Sequence, residues 1–232
     1  MNIISLKNIS RIYSQGDIEV RALSDVSIDI KRGELVAITG RSGSGKSTLM
    51  NILGILDAAD TGSYYFDGED IGKTLSADMS SKLRNEKIGF VFQNYNLVST
   101  LTALENVELP LIYRGIGKRK RRELSLEALR VVDLQQRIDH KPSEMSGGQQ
   151  QRVAIARAIA ASPPVILADE PTGNLDSSAA EAIMKLFISL NAKGTTVILI
   201  THDDKISGMC HRVIEISDGK IVGDRAIERF PN

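Results

Sequence analysis

Apolar and polar residues alternate along this chain in blocks whose lengths and periods predict an α/β fold. Val26, Ile28 and Ile30 alternate with Ser27 and Asp29, the two-residue period of a strand with one buried face. The stretches 35–39, 88–92, 165–168 and 196–200 are almost continuously apolar and rich in Val and Ile. That pattern suits strands of a parallel sheet covered on both faces. Asp67-Gly68 follows Tyr64-Tyr65-Phe66, and Asp218-Gly219 separates 213–216 from Ile221-Val222. Both Asp-Gly steps predict hairpin turns, so antiparallel strands are expected towards each end of the chain. Residues 102–161 read as mainly helical and carry no strand pattern. The expected architecture is one α/β domain with a mostly parallel core sheet at about 1–98 and 162–232, an antiparallel β layer, and a helical subdomain inserted at about 99–161.

Composition narrows the setting. The 232 residues can bury one large core, or a core with a small lobe. Lys+Arg and Asp+Glu both number 29, so no global field favours nucleic acid or an anionic bilayer. Cys210 is the single cysteine, which excludes an internal disulfide and fits a reducing cytosol. The apolar runs are strand-length and the first residues lack a signal-peptide core, so the chain is expected not to cross a membrane by itself.

Candidate chemistry begins at Gly40-Arg41-Ser42-Gly43-Ser44-Gly45-Lys46-Ser47, which fits the phosphate-loop pattern G-x-x-x-x-G-K-[ST] at every fixed position. A predicted strand precedes it, and Thr48-Leu49-Met50-Asn51-Ile52-Leu53 opens a helix after it. The glycines let backbone N–H groups face phosphate oxygens without a Cβ in the way, and the helix N-terminus adds partial positive charge. In this pattern Lys46 reaches the β- and γ-phosphates and the Ser47 hydroxyl ligates Mg²⁺. A nucleoside triphosphate is the implied ligand, with residues 40–48 as its candidate binding segment. An ordinary glycine-rich strand-to-helix turn is the bland alternative, and it leaves the Lys-Ser pair unexplained.

Further motifs follow in order. Ser146-Gly147-Gly148-Gln149 opens an alanine-rich helix that ends before Pro163-Pro164. The strand at 165–168 delivers Asp169 and Glu170 at its C-terminal end, where open α/β sheets hold ligands. The strand at 196–200 delivers His202 at the same edge, and Gln93 ends the run at 88–92. This order closely resembles the ATP-binding subunits of ATP-binding-cassette (ABC) transporters over essentially the whole chain. Residues 47–54, 104–110 and 171–176 resemble the branch of macrolide-exporter and lipoprotein-release ATPases.

The resemblance implies a P-loop ATPase core, with ATP and Mg²⁺ as cofactors, and assigns roles by position. Asp169 would hold Mg²⁺ through its water shell, Glu170 would act as general base, and His202 would bond the γ-phosphate. Gln93 would touch Mg²⁺ or the attacking water, and the loop at 94–101 would contact a transport subunit. Ser146, Gly148 and Gln149 would close over ATP held by the opposite subunit of a homodimer. Asn174-Leu175-Asp176 resembles the loop that crosses that interface, although the family often has Ser-Ala where this chain has Gly173-Asn174. Tyr13 lies where the family places an aromatic that stacks on adenine; a strand-end core residue is the competing reading.

Macrolide exporters fuse the cassette to a membrane domain, so a sequence ending at Asn232 leads to the expectation of a separate permease at the cytoplasmic face of the membrane. The competing class, a soluble ABC ATPase acting on translation or chromosomes, usually carries two cassettes or long coiled coils. Lys118-Arg119-Lys120-Arg121-Arg122 reads as a solvated helix entrance ahead of Glu123, with lipid contact as its alternative. Ser178-Ala179-Ala180-Glu181 reads as a capping box.

Overall fold

The computed structural model describes residues 1–16, 18–72 and 76–227. The first half of the chain forms β1 (Asn2–Gln15), β2 (Ile18–Lys31), β3 (Leu35–Thr39), α1 (Lys46–Leu53), β4 (Thr61–Phe66), β5 (Glu69–Asp70), α2 (Ala77–Lys87), β6 (Ile88–Val91) and α3 (Ala103–Tyr113). The second half forms α4 (Lys118–Val131), α5 (Gly147–Ile159), β7 (Val165–Asp169), α6 (Ser177–Ala192), β8 (Thr196–Ile200), α7 (Asp204–Ser207), β9 (Arg212–Ser217) and β10 (Lys220–Ala226). Two units divide these elements, one running to Ser81 and resuming at Thr196, the other covering Lys82–Thr195.

The first unit holds an antiparallel sheet in the order β2-β1-β4-β5. It also holds β3 between parallel neighbours β8 and β9, with β10 antiparallel beyond β9. The continuous apolar runs are explained by burial: Leu35, Val36, Ala37 and Ile38 are fully enclosed, as are Val197, Ile198 and Leu199. The alternating run of β2 buries Val26, Ile28 and Ile30 and exposes Ser27 and Asp29. Both Asp-Gly steps are hairpin turns, with left-handed backbone at Asp67 (φ 54°), Gly68 (85°), Asp218 (49°) and Gly219 (72°). The second turn also supports the loop before α1, because the Gly219 amide donates to the Ser44 carbonyl at 2.9 Å. A Cβ at Gly219 would lie 2.7 Å from the Ala22 carbonyl oxygen, so the close approach needs glycine.

In the second unit β6 and β7 pair in parallel, with Val91 opposite Ala168. Helix α5 packs on β6 with no side chain between them at Gly89, where a Cβ would meet the Ala158 carbonyl at 2.5 Å. Residues 102–161 form α3, α4, α5 and two short 3-10 turns, as the polar–apolar spacing suggested. Helix α5 buries Gln151, Val153, Ala154, Ile155, Ala156 and Ala158, positions that point nearly all round its axis, as in a helix enclosed on most sides. Two local expectations shift. The strand at 88–92 ends at Val91, and α6 is capped by Asp176, whose carboxylate accepts from the Ala179 amide at 2.8 Å, rather than by Ser178. An Asp one residue ahead of the first turn meets an orphan N–H directly, which leaves Ser178 inside the helix.

Candidate functional site

In the first unit β3 ends at Thr39 and the chain turns through the phosphate loop into α1. Gly40, Gly43 and Gly45 take φ values of 155°, 78° and 104°. These left-handed or strongly twisted steps turn the amides inward and are costly for residues with a Cβ. Space is a second constraint. A Cβ would lie 2.2 Å from the Ile216 carbonyl at Gly40 and 2.5 Å from the Ala22 carbonyl at Gly45. The Lys46 ammonium folds back over the loop and donates to the carbonyls of Gly40 and Arg41, both at 2.7 Å. The Ser44 hydroxyl is buried with no hydrogen-bond partner among the described residues, the kind of donor a ligand oxygen would satisfy. Arg41, Ser42 and Ser47 are exposed at the loop rim, and Thr48 is half-buried in the first turn of α1.

The parallel register sets His202. Ile38 of β3 lies opposite Ile200 of β8, so Gly40 and His202 each fall two residues beyond that pair on one sheet edge. The Thr201 amide donates to the Ile38 carbonyl at 3.2 Å, and the Asp203 amide donates to the Thr201 hydroxyl at 3.0 Å, which fixes the backbone on both sides of the histidine. Tyr13, on β1, is 39% exposed, which removes the core-residue reading.

The second unit repeats this logic. Val91 pairs with Ala168, so Gln93 and Glu170 each fall two residues beyond that pair. Asp169 closes β7 half-buried, and Glu170 follows with a left-handed backbone at φ 45°. Gln93 Nε2 donates to Asn174 Oδ1 at 3.3 Å, while Asn174 Nδ2 donates to the Gln93 backbone carbonyl at 3.1 Å and to Asn94 Oδ1 at 3.0 Å. Gly173 permits this, since a Cβ there would sit 2.8 Å from Gln93 Nε2. Ser146 caps α5 by accepting from the Gln149 amide at 3.3 Å, and Gln149 Oε1 accepts from the Ser146 amide at 3.0 Å. The side chain of Gln149 is thus engaged in the cap.

Several contacts at this second group join residues far apart in sequence. Arg157 of α5 donates to the carbonyls of Tyr95 at 2.8 Å and Asn96 at 2.6 Å, both left-handed residues. Burial lowers the Arg157 pKa, and the two carbonyls supply the hydrogen bonds that its desolvated charge requires. The buried Asn106 accepts from the Val98 amide at 2.8 Å and donates to the carbonyls of Val98, Leu101 and Thr102. Gln151 donates to the Pro171 carbonyl at 2.6 Å, tying α5 to the turn after Glu170. A charge amid the alanines of α5 was the available hint for Arg157.

The family model described as "ABC transporter" matches residues 23–173, which include the phosphate loop, Gln93, Ser146 and the Asp169-Glu170 pair. The chain belongs to the ABC transporter family. Its cassette is 51% identical over 222 residues to the macrolide export ATP-binding/permease protein MacB of Hyphomonas neptunium, covering 96% of this chain and 34% of that protein. It is 48% identical over 223 residues to the probable syringafactin export ATP-binding/permease protein SyfD of Pseudomonas syringae pv. syringae, with coverage of 96% and 34%. The chain therefore spans about a third of the length of these curated relatives. Among solved structures it superposes with TM-score 0.89 and 46% identity on the ATP-binding cassette MJ0796, in a dimeric post-hydrolysis state bound to ADP and Pi. That match covers 98% of this chain and 100% of the other, so the cassette fold extends well beyond the segment matched by the family model. Among the described residues no helix is long and apolar enough to cross a membrane.

Proposed function

We propose that this chain is the ATP-binding and ATP-hydrolysing cassette of an export-type membrane transporter. The observation that carries the reading is the phosphate loop: left-handed glycines, a buried unpartnered Ser44 hydroxyl and the Lys46 ammonium converge at the N-terminus of α1. Together they offer amides, a hydroxyl and a cation to one polyanion. Lys46 binds the β- and γ-phosphates, and Tyr13 stacks on the adenine. The family resemblance gives Mg²⁺ to Ser47, Gln93 and Asp169, which carry a hydroxyl, an amide carbonyl and a carboxylate, oxygen donors of the kind that ion takes. Held there, the ion would supply positive charge to the phosphates. Glu170 takes the proton of the attacking water, and His202 donates a hydrogen bond to the γ-phosphate.

Two copies act together. Ser146 and Gly148, at the N-terminus of α5, present the amide end of a helix to the ATP of a second copy. Closing and opening of that dimer drives an integral-membrane permease, which contacts the loop at 94–101 on the cytoplasmic side. A permease carried on a separate chain belongs to the same proposal. The export names of MacB and SyfD support the direction.

The test is co-expression of the chain with candidate membrane subunits, followed by fractionation. Two copies per complex in the membrane fraction, with Mg²⁺-dependent ATP turnover, are expected. Sedimentation with ribosomes or DNA, indifferent to any membrane subunit, would transfer the chain to the soluble class of ABC ATPases.

A further inference from the structure

Tyr13 is exposed, yet its ring is held at both the tip and one face. The hydroxyl donates to Asp57 Oδ2 at 2.8 Å, and the Arg11 guanidinium carbon lies 4.8 Å from the ring centroid, over the face. Arg11 is itself fixed by a fork on Asp57, with Nε to Oδ2 at 3.0 Å and Nη2 to Oδ1 at 2.9 Å. Its Nη1 donates to Asp60 Oδ1 at 2.7 Å, and Asp60 Oδ2 accepts from the Ile12 amide at 2.6 Å. Partial burial works against the guanidinium charge, but contacts with Tyr13, Asp60 and Asp57 outweigh it and raise the pKa.

Three consequences follow from this arrangement. Only one face of the ring is open, because Arg11 covers the other. The cation draws π density towards the covered face and so reduces the repulsion met by a second aromatic plane on the open one. The ring's orientation is set in advance, so little rotamer freedom remains to be lost when a planar ligand settles on it. Arg11 and Asp57 keep 22% and 24% of their side-chain surface exposed, so their fork contributes to the fold and also fixes the cation that covers Tyr13.

Asp57 also connects the ring to the phosphate loop. Its amide donates to the Asn51 carbonyl of α1 at 3.2 Å, and α1 begins at Lys46. An eight-residue helix is about 12 Å long at 1.5 Å per residue. Asn51 lies five residues beyond Lys46, so the ring and the phosphate loop are attached about 7.5 Å apart along one short helix.

We infer that Arg11 and Asp57 are positioning residues for the nucleobase: they hold Tyr13 as a one-sided stacking platform and join it to α1, so that base and triphosphate are gripped by one piece. This rests on the reading of Tyr13 as the adenine contact. The test is isothermal titration of the full chain with Mg-ATP and with inorganic tripolyphosphate, which has phosphates but no base. Tyr13→Phe, Asp57→Asn and Arg11→Gln are each expected to weaken ATP binding by about three- to tenfold while leaving tripolyphosphate unchanged. Tyr13→Phe keeps the ring and removes one hydroxyl, so it reports even if Asp57→Asn folds poorly. The Tyr13→Phe/Asp57→Asn double variant should bind ATP no worse than the weaker single, since both break the same bond. Wild-type ATP affinity in the three variants, with a loss in Tyr13→Ala, overturns the clamp and leaves stacking in place. Unchanged affinity in Tyr13→Ala overturns the stacking reading and the clamp with it. An equal loss towards tripolyphosphate also overturns the clamp, which would then serve only the fold.

Discussion

The guanidinium of Arg157 lies 2.8 Å from the carbonyl oxygen of Tyr95, and this contact fastens the loop after Gln93 to helix α5. Tyr95 and the adjacent Asn96 have φ values of 60° and 48°, so the bond holds two residues in a backbone region that side chains disfavour. Loop 94–101 is thus shaped by α5 at one end and by Asn106 of α3 at the other.

Arg157→Met is expected to destabilise the chain by about 2–3 kcal/mol, the scale of hydrogen bonds to a charged group. Amide exchange at Leu97 and Val98 should accelerate, while ATP affinity holds. Unfolding curves together with hydrogen exchange decide it; unaltered exchange would mean that the loop keeps its shape without Arg157.

Lys46→Ala should weaken ATP binding by about ten- to a hundredfold, from the loss of a cation at the phosphates. Titration with a fluorescent ATP analogue measures it. Equal affinity in wild type and variant contradicts the phosphate-loop assignment.

The loop glycines should not respond alike. At Gly43 an alanine meets nothing within 4 Å and suffers only the left-handed backbone, about 1–2 kcal/mol. At Gly45 the same backbone cost is joined by a Cβ 2.5 Å from the Ala22 carbonyl. Gly45→Ala should therefore lower the melting temperature clearly more than Gly43→Ala.

Glu170 combines a proposed chemical role with an unfavourable backbone at φ 45°. Glu170→Gln keeps the strain and should trap an ATP-bound dimer with little turnover, visible by light scattering after gel filtration. Glu170→Gly should also lose turnover but gain up to about 1 kcal/mol of stability, because glycine accepts that φ. Near-normal turnover in Glu170→Gln would place the base elsewhere.

Glu105 supplies a pH dependence. The amide of Thr102 and then its hydroxyl donate to the carboxylate, and Lys141 adds a favourable charge, so its pKa lies below the usual value despite slight desolvation. A depressed folded pKa gives stability that is present above the unfolded glutamate value and is lost as pH falls through the folded one. At this exposed cap the effect is below about 1 kcal/mol. The stability gap between wild type and Glu105→Gln should exist at pH 7 and close as pH falls below the usual glutamate range; a gap independent of pH would contradict the role of the charge.

Elements and motif positions were legible because their causes are local. Continuous burial wrote the apolar runs of β3, β7 and β8, and left-handed turns wrote the Asp-Gly steps. Helix α2 left no such trace, since it buries no residue and its polar sequence lacks a face. Asp57 meets Arg11 across 46 positions, and Arg157 meets Tyr95 across 62, so neither pair leaves a period to read. The bare Asp-Glu, His and Gln positions could be located from the strands that carry them. What shapes the chain around them depended on tertiary contacts.

The missing side chain at Gly89 sets how motion passes through the second unit. Methyl groups between a helix and a strand act as a soft gasket that absorbs small displacements. Here the backbone of β6 lies directly on that of α5, at Ala158. At that point a displacement of α5 has no side-chain layer to compress and must be met by the strand itself.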